Sequence, residues 1–160
     1  MNKTLFDGGF DQLDRAILEE LQVNGRISVA DLARKIFLSP PAVYQRIKRL
    51  ERAGVIKEYV ALTDREQVGY DLLCFIRISL QPHTREALDN LQAALCELPT
   101  VQECYHTAGS HDVLIKVIAE DHRALENFIS DQLMSLPNIE KIDTSVVLNT
   151  MKTTTAIPLK

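Results

Sequence analysis

The chain has 160 residues, 46% hydrophobic and 25% charged, with a formal net charge of -4. This is the composition of a globular protein of one ordinary domain or two small ones, and it excludes fibrous and disordered classes. The apolar runs are too short to span a bilayer, and the N-terminal MNKTLFDGGFDQLD has acids and glycines where a signal peptide has an apolar core, so a cytoplasmic protein without a membrane partner is expected.

In chain order, Asp11 to Val23 reads as a helix through Leu13, Ile17, Leu18 and Leu21, ended by Asn24-Gly25. Ser28 reads as the N-cap of a second helix with Asp31 as a capping-box-like partner; Val29, Leu32, Ala33 and Ile36 form its stripe. After a break at Phe37-Leu38, Ser39 caps a third helix with Pro40 at its first position. Val43, Ile47, Leu50 and Ala53 form the apolar face of that helix, and Gly54 ends it. Three short helices with a tight turn between the last two make a helix-turn-helix pattern. VIKEYVAL then has strand character, fit for a small wing or the start of a linker, and residues 63–71 form a polar hinge.

Beyond the hinge the period changes. Strands are expected over 72–80, 101–108, 112–119 and 139–150, and helices over 84–98 and 121–136. The order β-α-β-β-α-β is that of a ferredoxin-like unit. The fold class is therefore α+β. A helix-turn-helix domain covers 1–62, a hinge 63–71, and a βαββαβ domain 72–160. The closing MKTTTAIPLK shows no pattern.

The charge is unevenly spread. Residues 1–60 carry +2 and residues 61–160 carry -6, yet Arg46, Lys48, Arg49 and Arg52 fall within seven residues of the third helix. At roughly 100° per residue, Ile47 and Leu50 lie within about 40° of Val43, while Gln45, Lys48, Arg49 and Arg52 centre near 190°. One face thus suits a core and the other a polyanion. Lys and Arg neutralise phosphates, Arg, Gln and Tyr reach base edges, and the helix N-terminus at Ser39 offers N–H groups to a phosphate. The candidate DNA contacts are Ser39, Tyr44, Gln45, Arg46, Lys48, Arg49 and Arg52, with Arg46 flanking the core. Double-stranded DNA is the expected partner.

The segments DRAILEELQVNGRISVADLARKI, LSPPAVYQRIKRLERAGVI and ECYHTAGSHDVLIKV resemble the Lrp/AsnC (leucine-responsive, feast/famine) transcriptional regulators, over about residues 11 to 150. The resemblance implies a winged helix-turn-helix, a hinge strand, and a RAM-type βαββαβ domain that binds small effectors, often amino acids. It also implies homodimers that assemble further, commonly to octamers. Its effector pocket involves the central hairpin loop, here Thr107, Ala108, Gly109, Ser110, His111 and Asp112. The family's Gly-Asp at the start of that loop is Gly109-Ser110 in this chain, so the acid that would meet an amino group is absent there, and Asp112 is the nearest substitute.

Cys104 and His106, two apart on one strand face, with His111 and Asp112 across the turn, are metal-ligand residue types. No CxxC or HExxH spacing accompanies them, so no metal site and no cofactor other than the effector is expected. The three cysteines, Cys74, Cys96 and Cys104, are widely spaced and suit reduced thiols. His83 and His122 lie near expected helix starts. No nucleophile elbow, P-loop or dinucleotide fingerprint is present, so no enzyme is expected. The alternative is a metabolite sensor of the same fold acting through protein partners, which would have no need of the basic helix face.

Overall fold

A computed structural model describes residues 9–160, and expectations for residues 1–8 lie outside the described residues. The chain divides into two compact units, residues 1–61 with 152–160, and residues 62–151.

In the first unit, α1 (Gln12–Val23) begins at a capping box. The Asp11 carboxylate accepts from the Leu13 and Asp14 N–H groups, and the Asp14 carboxylate accepts from the Asp11 N–H. α2 (Val29–Lys35) starts at Ser28, whose Oγ accepts from the Asp31 N–H at 3.0 Å. The reciprocal half differs from a capping box: Asp31 takes the Ser28 hydroxyl proton instead of a backbone N–H. α3 (Pro40–Arg52) carries Ser39 at its N-cap, but that side chain makes no capping bond. Pro41 leaves the Ala42 N–H as the one donor of the second and third helical positions that a cap could use. With Pro40 also lacking its N–H, this helix start offers a phosphate fewer donors than the sequence pattern implies. The core is Ile17, Leu18, Leu32, Ala33, Val43, Ile47 and Leu50.

The α2–α3 turn holds Phe37 at φ +56° with its side chain 93% exposed. A left-handed L-residue costs on the order of 1 kcal/mol, and here no burial offsets it. Phe37→Gly should therefore raise the stability of this unit by about 1 kcal/mol, read from urea melts. Gly54, at φ +69° just past α3, occupies the same region without that cost.

No strand forms over residues 55–62, where the sequence predicts a wing or linker strand. A strand needs a ladder partner, and the segment has none among the described residues; Val60 and Leu62 are 63% and 74% exposed. The tail also departs from expectation, since residues 152–160 belong to the first unit and not the second. Gln22 fixes it by a reciprocal pair, donating to the Ile157 carbonyl at 3.1 Å and accepting from the Ile157 N–H at 2.6 Å, and Leu159 packs against the helical core.

The second unit runs β1 (Leu72–Leu80), α4 (Arg85–Cys96), β2 (Val101–His106), β3 (Val113–Ala119), α5 (His122–Asn127) and β4 (Ile139–Val146). The sheet order is β2-β3-β1-β4 with every pair antiparallel, the ferredoxin-like arrangement. Alternation along the strands places Cys74, Ile76, Ile78 and Leu80 with Val113, Ile115 and Val117 in one core, against Leu91 and Leu95 of α4 and Leu125 of α5. The last helix is not the continuous α-helix expected over 121–136. α5 passes into a wider π-helical turn, Phe128–Leu133, whose first and last residues are both buried. The wider turn brings side chains five apart onto one face.

Register puts Leu73, Phe75, Leu114, Ile118 and Tyr105 on the opposite sheet face, among Arg77, Lys116 and Glu103. No helix of the described residues is long and apolar enough to cross a membrane.

Candidate functional site: the basic helix and the hairpin loop

An apolar stripe of Val43, Ile47 and Leu50 seats α3, which fixes what it turns outward. Ser39, Tyr44, Gln45, Lys48, Arg49 and Arg52 are exposed and Arg46 is half-buried. Lys48 sits 2.7 Å from Glu51 and 5.8 Å from the Tyr44 ring centroid. The Glu51 hydrogen bond raises the Lys48 pKa, and Lys48 in turn lowers that of Glu51. Arg52 donates to the Lys48 carbonyl at 3.1 Å.

Two of the cations have partners that sequence reasoning missed. Arg46 Nη1 donates to Asp11 at 2.8 Å and to Asp14 at 2.9 Å, and Asp14 raises the pKa of the guanidinium most. Arg49 Nη2 pairs with the other Asp14 oxygen, and its guanidinium carbon lies 4.9 Å from the Phe10 ring centroid. The Asp14 side chain is fully buried. The sequence did hold a signal: Asp14 lies three and four residues before Ile17 and Leu18, on the buried stripe of α1. An acid there needs a cationic partner from the opposing helix.

In the second unit the hairpin loop is closed by its own bonds. Thr107 N–H donates to the Asp112 carbonyl at 2.8 Å and Thr107 Oγ1 to the His111 carbonyl at 2.9 Å. Ala108, Gly109 and Ser110 form the exposed tip. Gly109 is at φ +148°, where L side chains are rare, although a Cβ there would meet nothing within 4 Å. His111 Nδ1 is 3.1 Å from Ser79 Oγ.

Asp112 is turned inward. Its Oδ2 accepts from the Leu80 N–H at 2.8 Å and its Oδ1 lies 3.1 Å from His83 Nδ1. The backbone bond, aided by His83 and opposed by burial, holds the carboxyl below the usual aspartate range. Asp112 lines a cleft of about 270 Å³ with His83, Thr84, Arg85 and His106. An adjoining cleft of about 290 Å³ shares Leu88 and His106 with it and is lined by Cys96 and Cys104. Of the six loop residues, Asp112 lines one of these two clefts and the other five line neither. Burial, with Cys96 nearby, pushes the Cys104 thiol up. Among the described residues no three His, Cys, Asp or Glu side chains are grouped to hold a metal ion.

The two units match two family models. Residues 10–57 match a winged helix-turn-helix DNA-binding model, and residues 73–157 match the Lrp/AsnC ligand binding domain. The transcriptional regulator AzlB of Bacillus subtilis is 40% identical over 149 residues, covering 93% of this chain and 95% of that protein. The leucine-responsive regulatory protein of Salmonella typhimurium is 34% identical over 150 residues, covering 94% and 92%. A transcriptional regulator of Neisseria meningitidis, solved as a complex with L-Met, superposes with a TM-score of 0.90 at 34% identity, covering 93% of this chain and 96% of that one. With both units accounted for in order and relatives matched over nearly their whole length, the chain belongs to the Lrp/AsnC family of transcriptional regulators, a DNA-binding helix-turn-helix domain followed by a ligand-binding domain.

Proposed function

We propose that this regulator meets double-stranded DNA through the outer face of α3, with Tyr44, Gln45, Lys48, Arg49 and Arg52 in the groove and Ser39 and Arg46 at its margins. An amino acid bound near the hairpin loop modulates that contact. The observation that carries the reading is the outward face itself: these side chains stand opposite the buried Val43, Ile47 and Leu50 on a helix of the right class. The amino-acid effector is supported by the L-Met bound to the Neisseria relative.

At the loop, His83 is 66% exposed, so a ligand ammonium can displace its imidazole from Asp112 Oδ1 while Oδ2 keeps the Leu80 N–H. The Gly109-Ser110 tip, with Thr107, Ala108 and His111, gives the loop its shape around that group. The half-apolar open sheet face suits a homodimer, from which higher assemblies such as an octamer can build. A DNA partner fits a cytoplasmic protein. No catalytic step or cofactor belongs to this scheme.

The test is a salt titration on a duplex selected from a random pool by the protein, with and without a panel of amino acids and with assembly followed by light scattering. The Lys48→Ala/Arg52→Ala pair should lower the slope of log K against log salt by about 1 to 2. An unchanged slope removes both residues from the phosphate contacts. No preference for any duplex under any condition would favour the protein-partner sensor instead.

A further inference from the structure

The basic face of α3 is less basic in three dimensions than in sequence. Three of its four cations, Arg46, Lys48 and Arg49, meet carboxylates, those of Asp11, Asp14 and Glu51, while Arg52 donates to the Lys48 carbonyl. Two of those acids come from the start of α1 and converge on Arg46 and Arg49. A helix built only to neutralise phosphates gains no phosphate affinity from acids placed on its arginines, because each such pair cancels a charge that would otherwise release a counterion.

The geometry has a different use. Arg46 engages both acids through a single nitrogen, Nη1, and Arg49 engages Asp14 through Nη2. Each guanidinium carries five N–H donors in a planar fork, so each retains donors for another partner. Arg49 is the more exposed, at 46% against 25% for Arg46. It is also held from a second direction by the Phe10 ring. The exposed fork of Arg49 is thereby fixed in orientation, anchored to a fully buried carboxylate that Arg46 braces from the other side.

Resting on the reading of α3 as the DNA-facing helix, we propose that Asp14 is a positioning residue for sequence recognition: with Phe10 it holds Arg49 as an oriented reader of a base edge instead of a mobile phosphate contact. Base edges take a guanidinium bidentately and carry sequence information, whereas phosphates do not. The ligand class is the paired acceptors of a guanine in the major groove. Arg52, and Lys48 once a phosphate displaces Glu51 from it, supply the sequence-independent charge.

Two variants of the full-length protein test this, each measured on the selected duplex and on a random-sequence duplex of equal length across salt. Asp14→Asn keeps the shape and one acceptor but removes the charge that holds Arg49. The salt slope should steepen by up to about 0.9, random-duplex binding should strengthen several-fold, and the ratio of selected to random affinity should fall about tenfold. Phe10→Leu removes the ring without changing charge, so the ratio should fall while the slope stays at the wild-type value. A purely structural Asp14 would weaken binding to both duplexes alike at an unchanged slope, and that result overturns the proposal. So does a wild-type ratio in a variant with a native melt. Should Asp14→Asn fail to fold, Phe10→Leu decides alone, and an unchanged ratio sinks the idea. Failure of the underlying reading looks different: the wild-type protein would then lose no affinity or slope in the Lys48→Ala/Arg52→Ala pair.

Discussion

Arg46→Ala should destabilise the helical unit by about 3 kcal/mol, while Asp14→Asn should cost only about 1 kcal/mol. The asymmetry follows from which group each change strands. Asp14 is fully buried, whereas Arg46 and Arg49 keep 25% and 46% of their side-chain surface in water. Removing Arg46 leaves a buried carboxylate short of a partner, which is the expensive direction. Arg49 still meets that carboxylate, which holds the figure at the lower end of the range for a broken buried pair. Removing the charge at Asp14 leaves two guanidiniums that water can reach, and asparagine still offers an acceptor to the Asp11 N–H. Urea denaturation followed by far-ultraviolet circular dichroism distinguishes the two. Equal losses would mean that Asp14 is solvated in practice and that the network contributes little. A loss of DNA binding in Arg46→Ala therefore has to be read beside its melt.

The second large effect belongs to Asp112. Register shifts between Ser79 and Leu80 at the end of β1, and the Leu80 N–H is taken by the Asp112 carboxylate. Leu80 is 1% exposed, so Asp112→Ala leaves its donor unpaired away from water. The ligand-binding unit should lose about 2 kcal/mol. Asp112→Asn keeps the acceptor and should cost under about 1 kcal/mol.

The two variants also separate stability from acid sensitivity. The folded carboxyl titrates below its unfolded value because the backbone bond and His83 favour its ionised form. Its contribution is therefore fully present above about pH 4 and is lost as pH falls through the lower, folded value. Wild-type stability should drop on acidification through that window by more than that of Asp112→Asn. Parallel curves would mean that Asp112 does not carry the acid response. The effector titration on the same variants shows whether this carboxylate also receives a ligand ammonium: Asp112→Asn should weaken the amino-acid response at pH 7, where its stability is nearly native.

Much of this was written locally. Helix periodicity and the Ser28 cap located α2, and the Val43, Ile47, Leu50 stripe fixed which side of α3 faces outward, because seven to thirteen residues suffice to define a helical face. The short apolar runs LLCFIRISL and VLIKVIA announced the two central strands for the same reason. Where a local pattern needed a distant partner, it misled. VIKEYVAL has the side chains of a strand but no ladder among the described residues. The expected helix over 121–136 yields to a π-helical turn at Phe128–Leu133, where packing on the sheet overrides a smooth 3.6-residue period. The tail MKTTTAIPLK shows no period because Gln22, in α1, binds it through its backbone and not through a stripe.

The site divides along the same line. By itself the sequence determined that α3 is two-faced and basic and that a glycine-bearing hairpin loop joins two strands, since both are properties of neighbouring residues. Only the tertiary structure decided how those charges are spent. Arg46 and Arg49 meet Asp14 across 32 and 35 positions, and Asp112 meets Leu80 and His83 across 32 and 29. A side chain's charge is fixed by its identity, but whether that charge faces a ligand or a buried partner depends on which distant residues the fold brings within hydrogen-bonding reach.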